Sequence, residues 1–256
     1  MHAGGYNWVM ASRPGFGSNT RRWFTDRAAA LDAASFAEIF LAGVDKAAGA
    51  RWETAVERAA QLPGDIRPRK VGALTNQFAR ELAVVGAATG IAAATPAVGT
   101  TATIVASTAE LAWFTARSGD LVLTMAALHG RATPTVEERR AWVLAVLIFG
   151  GRAREGFTAA ANQLGIAVNP SSDTPVARVP LATLRAINGV LSTSLVRKYG
   201  TRRGVIALGT ALPLGIGAVI GGSANYSAVR TLSRHADDFF SRLPYSAIEA
   251  HSHDVT

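Results

Sequence analysis

The sequence predicts an all-α protein, a multi-helix bundle with two Gly/Ala-rich apolar helical hairpins around a buried central helix. No stretch alternates apolar and polar residues with period two for more than four or five positions, so no half-buried strand is expected. Apolar residues recur instead at helical spacing along most of the chain. Two long runs, residues 82–109 and 204–229, carry no charge at all, and a proline interrupts each of them, Pro96 and Pro213.

Composition bounds the function classes. Of 256 residues, 49% are hydrophobic and 17% charged, against about 25% charged in an average globular chain. Such a chain has ample apolar surface to bury, and disorder is excluded. There is no cysteine, which removes disulfides, thiolate catalysis and Cys-ligated metal sites together. The net charge of +8 and a pI near 10.7 suit an anionic partner. No ribonucleoprotein signature, zinc finger or basic-region heptad accompanies that charge, so the membrane surface is the expected partner and nucleic acid is not.

The elements follow in order. Residues 1–26 have no apolar core with a cleavage site, and their Gly, Pro and Ser predict a flexible leader. Residues 27–242 read as one helical domain, and 243–256 as a flexible polar tail. Phe36, Phe40 and Val44 recur at i, i+4 and i+8, and Trp52, Val56 and Ala59 continue the pattern beyond Gly49. Pro63, Gly64 and Pro68 break it, and the next helix is expected near Val71. The first uncharged run holds ten Ala, six Thr and three Gly but only seven large aliphatic residues. It is long enough to cross a bilayer but weak as an insertion signal, and it reads equally as two helices meeting at Pro96. Residues 110–130 continue as a helix ending near Gly130. Thr135 and Glu138 have the spacing of a capping box, and the helix they open contains Trp142–Phe149, apolar on every side and hence central. Residues 163–180, with Pro170, Pro175 and Pro180, are a loop. Leu181, Leu184, Ile187, Leu191 and Leu195 then trace one helix face, with Gly200 as its C-cap. The second uncharged run follows, and a last helix is expected from Ala228 to about Arg242.

Two segments together resemble a family. One is the uncharged run leading into Glu110-Leu-Ala-Trp113, then Asp120, then Ala126-Ala-Leu-His-Gly130. The other is Arg197-Lys198-Tyr199-Gly200, then Leu212-Pro213-Leu-Gly215-Ile-Gly217-Ala-Val-Ile-Gly221-Gly222, Asn225 and Ala236. Together they are similar to the EcsC family of bacterial proteins, whose namesake is encoded beside an ABC transporter. The resemblance spans residues 30–242. Two positions depart from it, with Glu110 where the family pattern has Asp and His129 where it has an aromatic residue. The resemblance implies association with the cytoplasmic membrane and carries over no catalytic residue.

Candidate sites fall into three groups. Glu110, Arg117 and Asp120 lie seven and three residues apart, on one stripe of one helix. They form either a polar relay or ligand stripe inside the bundle, or a solvated face with an Arg117–Asp120 pair. Arg197, Lys198, Arg202 and Arg203 sit flush against the second uncharged run and read either as lipid-headgroup contacts or as a solubilising loop. Gly86 and Gly90, and again Gly217 and Gly221, have the small-xxx-small spacing of close helix contacts. Asn225 either hydrogen-bonds between helices or caps the last one. Gly215-x-Gly217-x-x-x-Gly221 misses the dinucleotide spacing, and no phosphate loop, G-x-S-x-G elbow or H-E-x-x-H helix occurs. His251 and His253 are too weak a pair to predict a metal. No cofactor is expected. The expected function is therefore a non-enzymatic, membrane-associated accessory protein on the cytoplasmic side of the membrane, tied to an ABC transporter or to membrane-protein processing. It would contact lipid or a membrane protein complex. The competing expectation is a helical bundle that holds a lipid or other hydrophobic ligand in an internal cavity.

Overall fold

A computed structural model describes residues 33–93, 100–131, 134–166, 180–199 and 222–242. Within these residues the chain forms helices α1 (Ala33–Ala50), α2 (Trp52–Gln61), α3 (Arg67–Ala93), α4 (Thr100–Leu128) and α5 (Val136–Phe149). A 3₁₀ turn (Gly150–Arg152) follows, then α6 (Ala153–Asn162), α7 (Leu181–Tyr199) and α8 (Gly222–Ser241). No strand occurs among the described residues, and the helices pack as an all-α bundle.

Local chemistry sets most boundaries. The capping box forms: the Thr135 hydroxyl accepts the Glu138 N–H, and Glu138 accepts the Thr135 N–H, so two orphan donors of α5 are satisfied. At the other end of α5, Gly150 has φ +57°, and a Cβ there would stand 2.9 Å from the His235 ring. Only glycine fits both constraints. Gly130, with φ +77°, closes α4 where the sequence places its end.

Three boundaries differ from the expectation. The first helix does not run through to residue 61; it breaks at Arg51, whose side chain leaves the helix line to reach α4. The next helix starts at Arg67, not near Val71. Pro68 lies in its first turn, where a missing N–H costs nothing, and the N–H groups of Arg69 and Lys70 bond the Ile66 carbonyl. The last helix begins at Gly222 rather than Ala228, so the end of the second uncharged run is helical. Residues 94–99 between α3 and α4, residues 167–179 of the expected loop, Gly200, and most of the expected second hairpin lie outside the described residues.

The central helix is α5. Residues Ala141–Ile148 are all buried, and α1, α4, α6, α7 and α8 surround them. Trp142 joins both sides of the bundle. Its ring lies 6.4 Å from that of Trp52 at the start of α2 and 5.4 Å, edge-on, from that of Phe240 in the last turn of α8. Four of the five residues on the expected face of α7 pack inward, with Leu184, Ile187, Leu191 and Leu195 fully buried, whereas Leu181 in the first turn is exposed.

The helix directions are fixed by side-chain pairs. Arg117 of α4 reaches Glu81 of α3, whereas His129, just past α4, lies near Arg67 at the start of α3. Helices α3 and α4 therefore run antiparallel. Tyr226 of α8 reaches Asn76, and Asp237 reaches His129, so α8 also runs opposite to α3. The C-terminus of α3 and the N-terminus of α4 accordingly lie at one end of the bundle, and the N-terminus of α8 points toward that end, starting about level with Glu81 because Tyr226 already meets Asn76. These are the three helix segments that carry the uncharged sequence. No helix among the described residues is long and apolar enough to cross a membrane.

Helix α1 lies parallel to α4 at unusually short range. A Cβ on Gly43 would stand 2.7 Å from the Thr115 Cβ and 3.0 Å from the Ala112 carbonyl, and one on Gly119 would stand 2.5 Å from the Ala47 Cβ. Alanine normally improves a helix by about 1 kcal/mol over glycine. Here the clash reverses the sign, because neither backbone nor Cβ can swing away. Gly43→Ala and Gly119→Ala should each lower stability by about 1–3 kcal/mol in urea unfolding. Gly72→Ala, where a Cβ meets nothing within 4 Å, should raise it by about 0.5–1 kcal/mol. A stabilising Gly119→Ala would contradict the close α1–α4 approach.

Candidate functional site

The most concentrated charge in the described core lies where α2, α3 and α4 meet. Arg117 and Asp120 are one helical turn apart on α4, and both are buried. Arg117 Nη1 donates to Asp120 Oδ2 at 2.5 Å, and its Nη2 donates to Glu81 Oε2 on α3. Arg51, from the break between α1 and α2, donates to the same Asp120 Oδ2 at 2.6 Å. Two guanidiniums approach the Phe78 ring of α3, that of Arg117 at 4.8 Å and that of Arg58 of α2 at 5.1 Å from its centroid.

The electrostatics follow from this packing. Burial opposes the Arg117 charge, but the hydrogen bonds and charges of Glu81 and Asp120 outweigh it and hold its pKa above the ordinary arginine value. Arg58 lacks such a bond, and burial together with the nearby Arg117 charge lowers its pKa. Arg51, Arg117, Asp120 and Glu81 close on one another. The arrangement presents no nucleophile, and no group of three or more potential metal ligands exists among the described residues. Its chemistry is that of a clamp: it ties three chain segments, the α1–α2 break, α3 and α4, by charge.

Of the stripe expected from sequence, Arg117 and Asp120 come together inside the bundle, not on a solvated face. Glu110 lies on α4 about 10 Å nearer the uncharged end by helical rise, and its side chain is outside the described residues. Gly86 and Gly90 are in α3, beyond the last position with a described side chain. Arg197 is exposed near the end of α7, and Lys198 follows it in that helix with an undescribed side chain. Arg202, Arg203, Gly217 and Gly221 lie outside the described residues. Asn225 is the fourth residue of α8, so it is inside that helix and does not cap it.

Sequence reasoning did not single out Arg51, Arg58, Phe78 or Glu81. Arg51 and Asp120 are 69 positions apart, and nothing in local spacing links them. One signal was present: Glu81 is the last charge before the first uncharged run.

A second polar pair closes the opposite end. His129 is buried, its Nε2 lies 2.8 Å from Asp237 Oδ1, and the Phe240 ring packs against it. Burial pushes its pKa below the ordinary 6.5, Arg67 and Arg131 push the same way, and Asp237 opposes them. His235, beside Gly150, is lowered by burial and by Arg234.

No protein-family model, curated protein or solved structure matches the chain.

Two outcomes are expected. Asp120→Asn leaves two guanidiniums without their shared carboxylate and should cost about 3 kcal/mol in urea unfolding. Glu81→Gln, at a side chain 34% exposed, should cost about 1 kcal/mol or less. Equal, small losses at both sites would contradict the clamp. The second outcome concerns pH. With folded-state histidine pKa values below 6.5, the unfolded chain binds more protons as pH falls through that value. Stability should therefore be full above about pH 7 and decline from about pH 6.5 toward 5. His129→Gln should flatten that decline, and an unchanged slope in thermal scans would argue against it.

Proposed function

We propose that this protein is a non-enzymatic, membrane-associated accessory protein that docks its uncharged end against the cytoplasmic leaflet. Lipid headgroups would be held by Arg197, Lys198, Arg202 and Arg203. The observation that carries the reading is the convergence of uncharged sequence: the end of α3 and the beginning of α4 share one end of the bundle, and α8 points its uncharged start toward it. Val84, at the start of the first run, is 70% exposed, so an apolar side chain faces outward where contact with lipid would begin. The basic positions flanking the second run supply the charge that anionic headgroups attract, about 1 kcal/mol for each residue near the surface. The resemblance to the EcsC family points the same way and adds a membrane protein complex, an ABC transporter or a processing assembly, as the partner docked beside it.

The test is flotation with vesicles of phosphatidylethanolamine and phosphatidylglycerol, followed by washes in high salt and in alkaline carbonate. The wild-type protein should float with the vesicles in low salt. Arg197→Glu with Arg202→Glu should weaken the association at least about tenfold, since two charges change sign. Retention through carbonate would mean inserted hairpins, and release by salt would mean a surface contact. A wild-type protein that never floats would overturn the reading. A defined lipid co-purifying at one equivalent with such a non-floating protein would favour the internal-cavity alternative.

A further inference from the structure

We propose that the groove between α3 and α8 is a binding site for a small phosphate-bearing ligand. The groove encloses about 560 Å³, within the roughly 300–1,000 Å³ range of small-molecule sites. Its floor is polar and closed: Thr75 Oγ1 and Ser233 Oγ lie 2.5 Å apart across the two helices. Its rim carries Arg230 and Arg234, one turn apart on α8 and both exposed. Neither has an ion pair among the described residues. Arg230 rests 5.3 Å from the centroid of the Tyr226 ring, and Arg234 donates to Thr231 Oγ1 at a long 3.3 Å. Asp237 is the acidic residue lining the groove, and its carboxylate is engaged by His129.

The chemistry selects the ligand class. Two guanidiniums with no ion pair among the described residues offer several N–H donors to one anion, the arrangement that matches phosphate oxygens, while the floor hydroxyls are held in place by their own bonds, Ser233 to Thr75 and Thr75 to the Val71 carbonyl. A cation would meet two like charges and a carboxylate that is already bonded. The opening also depends on Gly72. That glycine lies within α3, where it costs about 1 kcal/mol relative to alanine, and no neighbour within 4 Å demands it. Its missing side chain leaves the groove open to a ligand. The phosphate belongs either to a soluble phosphoester or to a lipid headgroup. The site stands on α3 and α8 and does not rest on the membrane reading.

The experiment uses the full chain and inorganic phosphate, with chloride at equal ionic strength as the control. Phosphate at ten times its Kd should raise the unfolding midpoint by about 3 °C. Arg230→Gln with Arg234→Gln should weaken phosphate at least tenfold, as should Gly72→Phe, while Gly72→Ala keeps the site and serves as the folding control. Flotation on phosphatidylglycerol vesicles, with phosphatidylcholine vesicles for comparison, then separates the sources. A tenfold loss of phosphatidylglycerol binding in the double arginine variant assigns the phosphate to a headgroup, and unchanged vesicle behaviour with lost phosphate binding assigns it to a soluble phosphoester. Phosphate stabilisation that persists in both variants places the anion elsewhere and overturns the proposal. So does the absence of any phosphate effect together with variant-independent vesicle binding.

Discussion

The described part of the molecule is organised around one buried carboxylate. Asp120 sits within a stretch of α4, Phe114–Ala126, that is buried throughout, where an unpaired charge would cost several kcal/mol. It persists because two arginines from different segments converge on one of its oxygens. Arg51 can do so only because the chain breaks between α1 and α2, and Arg117 only because it is one turn away on the same helix. Arg117 then has a second hand free for Glu81 on α3. A single charge thus fixes the α1–α2 corner, the register of α3 against α4, and the position of Phe78 beside two guanidiniums. Truncating one member strands the others, so the cluster acts as a unit.

The clamp also marks a boundary. Glu81 is the last charged residue of α3 before the uncharged run, and Arg117 faces it from the returning helix. On one side of this level lies a charged and aromatic body, with Trp142 between Trp52 and Phe240 and glycine contacts drawing α1 onto α4. On the other side α3 carries no further charge, and α4 carries Glu110 alone. Anchoring two helices by ion pairs at their base lets their outer turns dispense with charged residues, which is the geometry a docking end requires. The proposed membrane contact and the proposed phosphate groove thereby occupy different parts of the same helices. The first uses the outer turns of α3 and α4, and the second uses the seam between α3 and α8, from Val71 to Asn76 and from Tyr226 to Asp237.

What could be read from sequence was what depends on near neighbours. The all-helical class, the capping box at Thr135 and Glu138, the buried segment from Trp142 to Ile148 and the inward face of α7 from Leu184 on all follow from spacings of three, four or seven residues, and the structure has them. The errors were also local in origin. Pro68 looked like a breaker because its sequence neighbours are Pro63 and Gly64, yet in a first turn proline is harmless. The sequence likewise puts the start of the last helix at Ala228, beyond Gly221 and Gly222, whereas packing against α3 holds α8 helical from Gly222. What sequence could not give was the third dimension. Arg117 and Asp120 were visible as a pair, but whether they faced water or core depended on Arg51 and Glu81, which approach from distant segments. Gly43 and Gly119 were two among 25 glycines until the helices they join were placed face to face.

The central claim is that the uncharged end of the bundle faces lipid while the His129–Asp237 end faces away. A fluorophore placed through Val84→Cys, in a chain with no native cysteine, reads this directly against a second placed through Ser241→Cys. Both labelled proteins would be mixed with phosphatidylglycerol vesicles whose lipids carry a quencher in the acyl chain. The account predicts strong quenching at position 84 and little at position 241. Equal quenching at the two positions, or stronger quenching at 241, would contradict it.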